Sequence, residues 1–185
     1  EQPHQAARTI ARFISALQGV DSSDGPLPGA HNFGRGVPLA ERDSATRQAI
    51  AELGTLVDAP AVIAIWESAL HTSVWAEPPV WIHGDLQAGN LLVHHGRISS
   101  VIDFGGLAVG DPACDLMIAW TYLSADTRRT FRAALAIDDA TWTRGRGWAL
   151  SFAVIALPYY QHTNPALAGI ARRTIDELLR DGGVA

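Results

Sequence analysis

Lysine is missing from this 185-residue chain, and all 14 of its cationic side chains are arginine. Asp and Glu number 19, so the formal net charge is −5. That sign argues against a general nucleic-acid binder, which needs a basic surface to meet phosphates. Cysteine is scarce too. A lone Cys114 excludes an internal disulfide and makes a reducing cytoplasm the expected compartment. The longest mostly apolar run, residues 148–157, contains Ser151, whereas a bilayer-spanning helix takes about 20 residues. No basic-plus-apolar secretion signal opens the chain, and there is no internal repeat or low-complexity tract. What is present is 48% hydrophobic and 18% charged. Such a composition builds a core, and the length suits one domain over 1–185, with neither nucleic acid nor membrane as partner.

The apolar periodicity is mostly helical. Ile10, Phe13, Ile14 and Leu17 repeat at i, i+3, i+4, i+7, so residues 4–18 are expected to be a helix that stops at Gly19. Residues 20–38 hold four Gly and three Pro and read as a long loop. A helix over 42–57 follows. Another is capped by Asp58, carries the stripe Val62, Ile65, Trp66, Ala69, Leu70, and is ended by Pro78-Pro79. Residues 80–82 are β-prone, and 91–102 read as a hairpin turning at His94-His95-Gly96-Arg97. Asp111-Pro112 starts the next helix, Ser124 caps one to about 137, a long helix covers 140–157, and Asn164-Pro165 opens the last, which closes at Gly182. The expected class is α+β, mainly helical, with a small sheet near the middle.

Chemistry concentrates in Ile82-His83-Gly84-Asp85-Leu86-Gln87-Ala88-Gly89-Asn90 and in Val101-Ile102-Asp103-Phe104-Gly105. Asp85 and Asn90 share a loop. Asp103 follows a strand whose hairpin partner begins just after Asn90, and a hairpin brings its two outer ends together. Two carboxylates and an amide oxygen can therefore meet at one mouth. An amide oxygen and one carboxylate suit Mg²⁺, which takes few protein ligands and relies on phosphates and water for the rest. The other carboxylate is left to receive a proton from an attacking hydroxyl, and phosphoryl transfer asks little more of this half of a site.

The pattern H-G-D-x-x-x-x-N followed by I-D-F-G resembles the catalytic and metal-binding loops of the protein-kinase-like superfamily. Gly84 in place of an Arg is similar to the aminoglycoside phosphotransferase and choline kinase branch, as is Gly110-Asp111-Pro112-Ala113-Cys114-Asp115-Leu116. His31-Asn32-Phe33-Gly34-Arg35-Gly36 resembles a segment of bacterial aminoglycoside phosphotransferases. The resemblance covers nearly the whole chain, as the C-terminal lobe of that fold. It implies Asp85 as catalytic carboxylate and Asn90 and Asp103 as Mg²⁺ ligands. His83 and Asp115 would be supporting residues, ATP or GTP the phosphoryl donor, and a hydroxyl-bearing small molecule the acceptor. It also implies that the N-terminal nucleotide lobe, with its Gly-rich loop and phosphate-pairing Lys, is absent from this chain, so that these residues alone turn over negligibly.

The acceptor is the open question. Asp21, Asp24 and Asn32 in the long loop, and Asp138, Asp139, Asp176 and Glu177 later, are candidate contacts. An acidic pocket would concentrate a polycationic aminoglycoside. Choline, macrolides, amino alcohols and sugars stay open, as do a metal-dependent phosphohydrolase and a non-catalytic binding module. Asp111 reads most simply as a helix cap, Cys114 as a small buried hydrophobe, and Arg128, Arg129 and Arg132 as a solvated helix face. Trp75, Trp81, Trp142 and Trp148 read as core or as a substrate wall.

Overall fold

The computed structural model describes residues 3–182. Seven α-helices carry the fold: α1 (Pro3–Gln18), α2 (Asp43–Leu53), α3 (Ala59–Leu70), α4 (Ile118–Thr121), α5 (Ala125–Leu135), α6 (Asp139–Tyr160) and α7 (Pro165–Gly182). Four short strands, β1 (Val80–Ile82), β2 (Leu91–His94), β3 (Arg97–Val101) and β4 (Ala108–Gly110), make two antiparallel pairs, β1 with β4 and β2 with β3. This is the mainly helical α+β class that the periodicity implies.

The spine is α6. It is buried along most of its length rather than on one stripe, as a helix surrounded by other elements must be. It packs on α2, α3, α7 and the 3₁₀ segment Pro112–Met117. Gly145 and Gly147 let it approach closely, since a Cβ at either would lie 2.6 Å from the Cβ of Leu116 or Ala69. The short motif Gly145-Arg146-Gly147 is thus a packing device. Among the described residues no helix is long and apolar enough to cross a membrane.

Caps fall where the side chains require. Asp58 accepts from the Ala61 N–H, Ser124 from Thr127 and Asp138 from Thr141, each filling a donor left open by a helix start. Asp111 caps the 3₁₀ segment through the Ala113 N–H. It does more than cap: Arg144 Nε lies 2.8 Å from its Oδ2, and both side chains are almost fully buried. Arg144 also donates to Ser73 O and Thr141 Oγ1.

Several boundaries differ from the sequence expectation. The helix expected over 42–57 ends at Leu53, because Gly54 takes a positive φ of 53° and turns the chain. The helix expected to run to Pro78-Pro79 ends at Leu70. The segment after it folds back, with Ser73 O held by Arg144 and Pro78 O by the Trp75 indole. The helix expected from Asp111-Pro112 is a 3₁₀ segment followed by the four-residue α4. Arg128 is buried rather than solvated, paired at 2.9 Å with both Glu177 and Asp181, and so pins α5 to α7. The β4 strand escaped notice because three residues, Ala108-Val109-Gly110, carry no readable period. It gains order from both sides: β1 pairs one edge, and the long loop covers the other through Val109 N–H to Pro26 O and Asp111 N–H to Gly36 O.

The buried Asp111–Arg144 pair is self-satisfying only while both members are present. Replacing Arg144 by Ala strands a buried carboxylate and is expected to cost about 3–5 kcal/mol, measured by denaturant unfolding.

Candidate active site

The hairpin supplies one side of the site. Its turn residues His95 and Gly96 both take positive φ, 47° and 71°, the backbone that two-residue hairpin turns favour. Leu91 then faces Val101, and the Ile102 N–H donates to Asn90 O at 3.0 Å. Asp103 therefore starts one residue beyond the point where the chain is tied to Asn90. It is exposed and sits in the left-handed region (φ 64°, ψ 65°), where Asp is among the few side chains at ease.

The loop 83–90 supplies the other side. Asn90 is 7% exposed and its Nδ2 donates to Asp85 O at 2.8 Å and to Asp85 Oδ2 at 3.2 Å. Gln87 Nε2 also donates to Oδ2, at 3.1 Å. The Asp85 carboxylate is thus fixed through one oxygen. Its other oxygen, Oδ1, lies 2.7 Å from Arg35 Nη1 in an ion pair outside hydrogen-bond geometry. Oδ1 is buried there and carries no hydrogen bond. With Nδ2 committed to Asp85, Oδ1 is the atom Asn90 has left to offer a cation.

Behind these groups lies a buried scaffold. Asp115 is fully buried and accepts the His83 N–H at 2.7 Å and the Gly84 N–H at 2.9 Å. Burial pushes its carboxyl above the usual carboxylate range, and the two N–H groups oppose that rise. His83, also fully buried, accepts the Asp85 N–H at Nδ1 and faces Ile102 O at 3.0 Å from Nε2. An accepting Nδ1 requires the proton on Nε2. Both ring nitrogens are spent on backbone, which makes His83 a brace. Its ring also packs on Phe104 with centroids 4.9 Å apart, and Phe13 of α1 meets both rings.

Gly84 joins the two loops. Its φ is 76°, and a Cβ there would fall 2.3 Å from Gly106 O. No side chain fits between the segment bearing Asp85 and the one following Asp103.

The other candidates are scattered. Asn32 is 1% exposed, and its amide is committed to Gly29 N–H, Arg35 O and Gly106 O. It braces the long loop and has no group to turn toward an acceptor. Asp21 accepts from Ser23, in a stretch tied to Pro79 and Trp81 at the end of β1 remote from Asp85. Asp24 is exposed. Asp138 caps α6, Asp139 pairs with Arg132, and Glu177 pairs with Arg128 and Arg180. These acids do not gather into a pocket. Cys114 is fully buried, and burial pushes its thiol well up, which makes it inert.

Sequence reasoning missed Arg35. Only folding carries it to Asp85, and its one signal was an Arg set between two glycines, Gly34 and Gly36, in a long loop. Arg35 also lines a cavity of about 220 Å³ with Arg42, Trp148 and Phe152. Phe33 stands at that cavity, 80% exposed and held in the left-handed region, a backbone state that costs a non-glycine residue about 1–2 kcal/mol. A larger cavity of about 490 Å³ is lined by Trp75, Glu41, Asp111 and Arg144 among others, and by none of Asp85, Asn90 and Asp103. Trp142 packs in the core against Trp120 and Phe131.

A helical lobe presenting an acid and an amide on one loop, and a second acid at the end of the adjoining hairpin, defines the C-terminal lobe of a kinase-like phosphotransferase fold. Residues 1–148 match the Phosphotransferase enzyme family, APH, and the chain belongs to it. Among solved structures it is similar to macrolide 2'-phosphotransferase MphH from Brachybacterium faecium, at 26% identity and a TM-score of 0.55 over 94% of this chain and 60% of that one. It is also similar in fold to the GDP complex of aminoglycoside 2'-phosphotransferase-IIIa (17% identity, TM-score 0.66, 97% and 62%). A third likeness of fold is to the streptomycin–ATP ternary complex of APH(2")-IIa (18%, TM-score 0.53, 94% and 62%). The chain spans about 60% of the length of these structures. No curated protein matches it.

Gly84→Ala forces a Cβ into Gly106 O and an L residue into positive φ. The variant is expected to lose at least about 2 kcal/mol of stability, read by denaturant midpoint.

Proposed function

We propose that the intact protein transfers the γ-phosphoryl group of a nucleoside triphosphate to a hydroxyl of a small molecule, with this chain supplying the catalytic acid and the cation ligands. The observation that carries the reading is Asp85: one oxygen is pinned by Asn90 and Gln87, and the other is buried against the Arg35 guanidinium and carries no hydrogen bond. In the reaction, Asp85 Oδ1 orients the acceptor hydroxyl and takes its proton. The hydroxyl oxygen bonds to the γ-phosphorus as the bond from that phosphorus to the β–γ bridging oxygen breaks, and the nucleoside diphosphate leaves. A positioned base of this kind contributes about 10²–10⁴ in rate.

Asn90 Oδ1 and the exposed Asp103 carboxylate are hard oxygen donors and fit Mg²⁺, whose remaining positions phosphate oxygens and water fill. When bound, Mg²⁺ neutralises phosphate charge. Among the described residues no three His, Cys, Asp or Glu side chains cluster to hold a metal unaided, which accords with a cation shared with nucleotide. ATP or GTP as donor is supported by relatives solved with ATP or GDP. A chain without lysine supplies none to the phosphates, and we assign that part of the nucleotide cradle to a lobe outside it. An aminoglycoside acceptor is supported by relatives solved with such ligands, and the dispersed acids lend it nothing.

In the intact protein, Asp85→Asn is expected to lower kcat at least 100-fold while Mg–nucleotide affinity stays within about threefold, measured by coupled ADP release and calorimetry. Unchanged kcat would remove Asp85 as the base. Asn90→Ala and Asp103→Ala are expected to raise the Mg²⁺ concentration for half-maximal rate about tenfold or more. The isolated 185-residue chain is expected to bind Mg–ATP far more weakly than the intact protein.

A further inference from the structure

We infer that Arg35 caps the proposed base: it denies water the one carboxylate oxygen of Asp85 that is not hydrogen-bonded, and gives that oxygen up when an acceptor hydroxyl arrives. Arg35 is then a positioning residue that favours transfer over hydrolysis. This deepens the reading above and rests on it.

The carboxylate is divided between two kinds of partner. Oδ2 is held by Asn90 and Gln87 of its own loop. Oδ1 has no hydrogen bond, is buried, and lies 2.7 Å from Arg35 Nη1. A base must reach its proton within hydrogen-bond distance, so Oδ1 serves no hydroxyl until the guanidinium withdraws. Water is the competitor that a phosphotransferase must refuse, and covering the reactive group until the acceptor is present prevents that side reaction.

The Arg35 side chain is built to move while its backbone stays. Its carbonyl accepts from Asn32 Nδ2, and Gly36 O accepts the Asp111 N–H, so the loop is anchored without the guanidinium. The other arginines that reach the interior are fastened at their heads: Arg42 by Ser151, Arg128 by Glu177 and Asp181, Arg144 by Asp111, and Arg146 by Leu178 O. Among the described residues the Arg35 guanidinium has no hydrogen bond, only the ion pair with Asp85. Both members of that pair are partly exposed, and such pairs separate at little cost. The cavity of about 220 Å³ that Arg35 lines gives it room to turn. Arg42 lines the same cavity, and its like charge opposes that turn, so an empty site returns Arg35 to Asp85.

With the cap removed, water takes the acceptor's place. Its oxygen bonds to the γ-phosphorus, the bond from that phosphorus to the β–γ bridging oxygen breaks, one proton passes to Asp85, and the other stays on the phosphate released. The test uses the intact protein without acceptor. Phosphate release from Mg–ATP is expected to rise at least tenfold in Arg35→Ala, to return within about threefold of wild type in Arg35→Lys, and to lose its rise when Asp85→Asn is added to Arg35→Ala. A second readout needs no turnover: carbodiimide-driven amidation with glycinamide, without nucleotide, localised by mass spectrometry. Amidation of Asp85 relative to the exposed Glu77 is expected to rise at least threefold in Arg35→Ala and to fall back in Arg35→Lys. The fully buried Asp115 reports unfolding. If it too is amidated in Arg35→Ala, Arg35→Gln carries both measurements. Unchanged amidation of Asp85, phosphate release that does not rise, or a rise that survives Asp85→Asn would each overturn the inference. Amidation that follows expectation while neither wild type nor any variant releases phosphate would uphold the cover over Asp85 and sink the phosphotransferase reading instead.

Discussion

One buried carboxylate holds the centre of this lobe together. Asp115 belongs to the 3₁₀ segment on α6, yet its two oxygens are spent on consecutive N–H groups at the start of the loop that bears Asp85. Those N–H groups emerge from a strand end and turn through a positive-φ glycine, so no sheet partner can reach them. Burial makes the charge expensive and the paired donors make it tolerable. An apolar substitute there would orphan two backbone donors at once. The helical core thereby dictates where the loop begins, and everything reactive is counted from that point.

From this anchor the site builds outward in decreasing burial. His83 is sealed in, spends both nitrogens on backbone, and ties Asp85 to Ile102. Asn90 is nearly sealed and spends its amino group on Asp85. Asp85 is partly open and Asp103 is fully at the surface. The gradient suits phosphoryl transfer, in which the groups that aim must be rigid and those that meet charged phosphates must stay wet enough to exchange ligands.

How much of this was legible depended on distance along the chain. Asp85, Asn90 and Asp103 could be joined on paper because a hairpin is a local object with a readable turn. Helix starts were legible for the same reason at Asp58 and Ser124, which act within three residues, whereas Asp138, taken from the sequence as an acceptor contact, is a cap of the same local kind. Helix ends at Leu53 and Leu70 were not, because one was set by Gly54 and the other by Arg144 far away in sequence. Arg35 illustrates the limit most plainly: nothing local in Gly34-Arg35-Gly36 announces a partner at Asp85. Arg128 shows the converse, an arginine in a run with Arg129 that tertiary packing drew inside.

The contact between Gly84 and Gly106 has a mechanical meaning. Two main chains touch there with nothing compressible between them. Any tilt of the hairpin's open end is passed straight to the opposing loop, and the reverse holds. The proposed base and cation ligands therefore share one degree of freedom, so their mutual spacing survives movements of the lobe that would shear apart a site resting on flexible side chains.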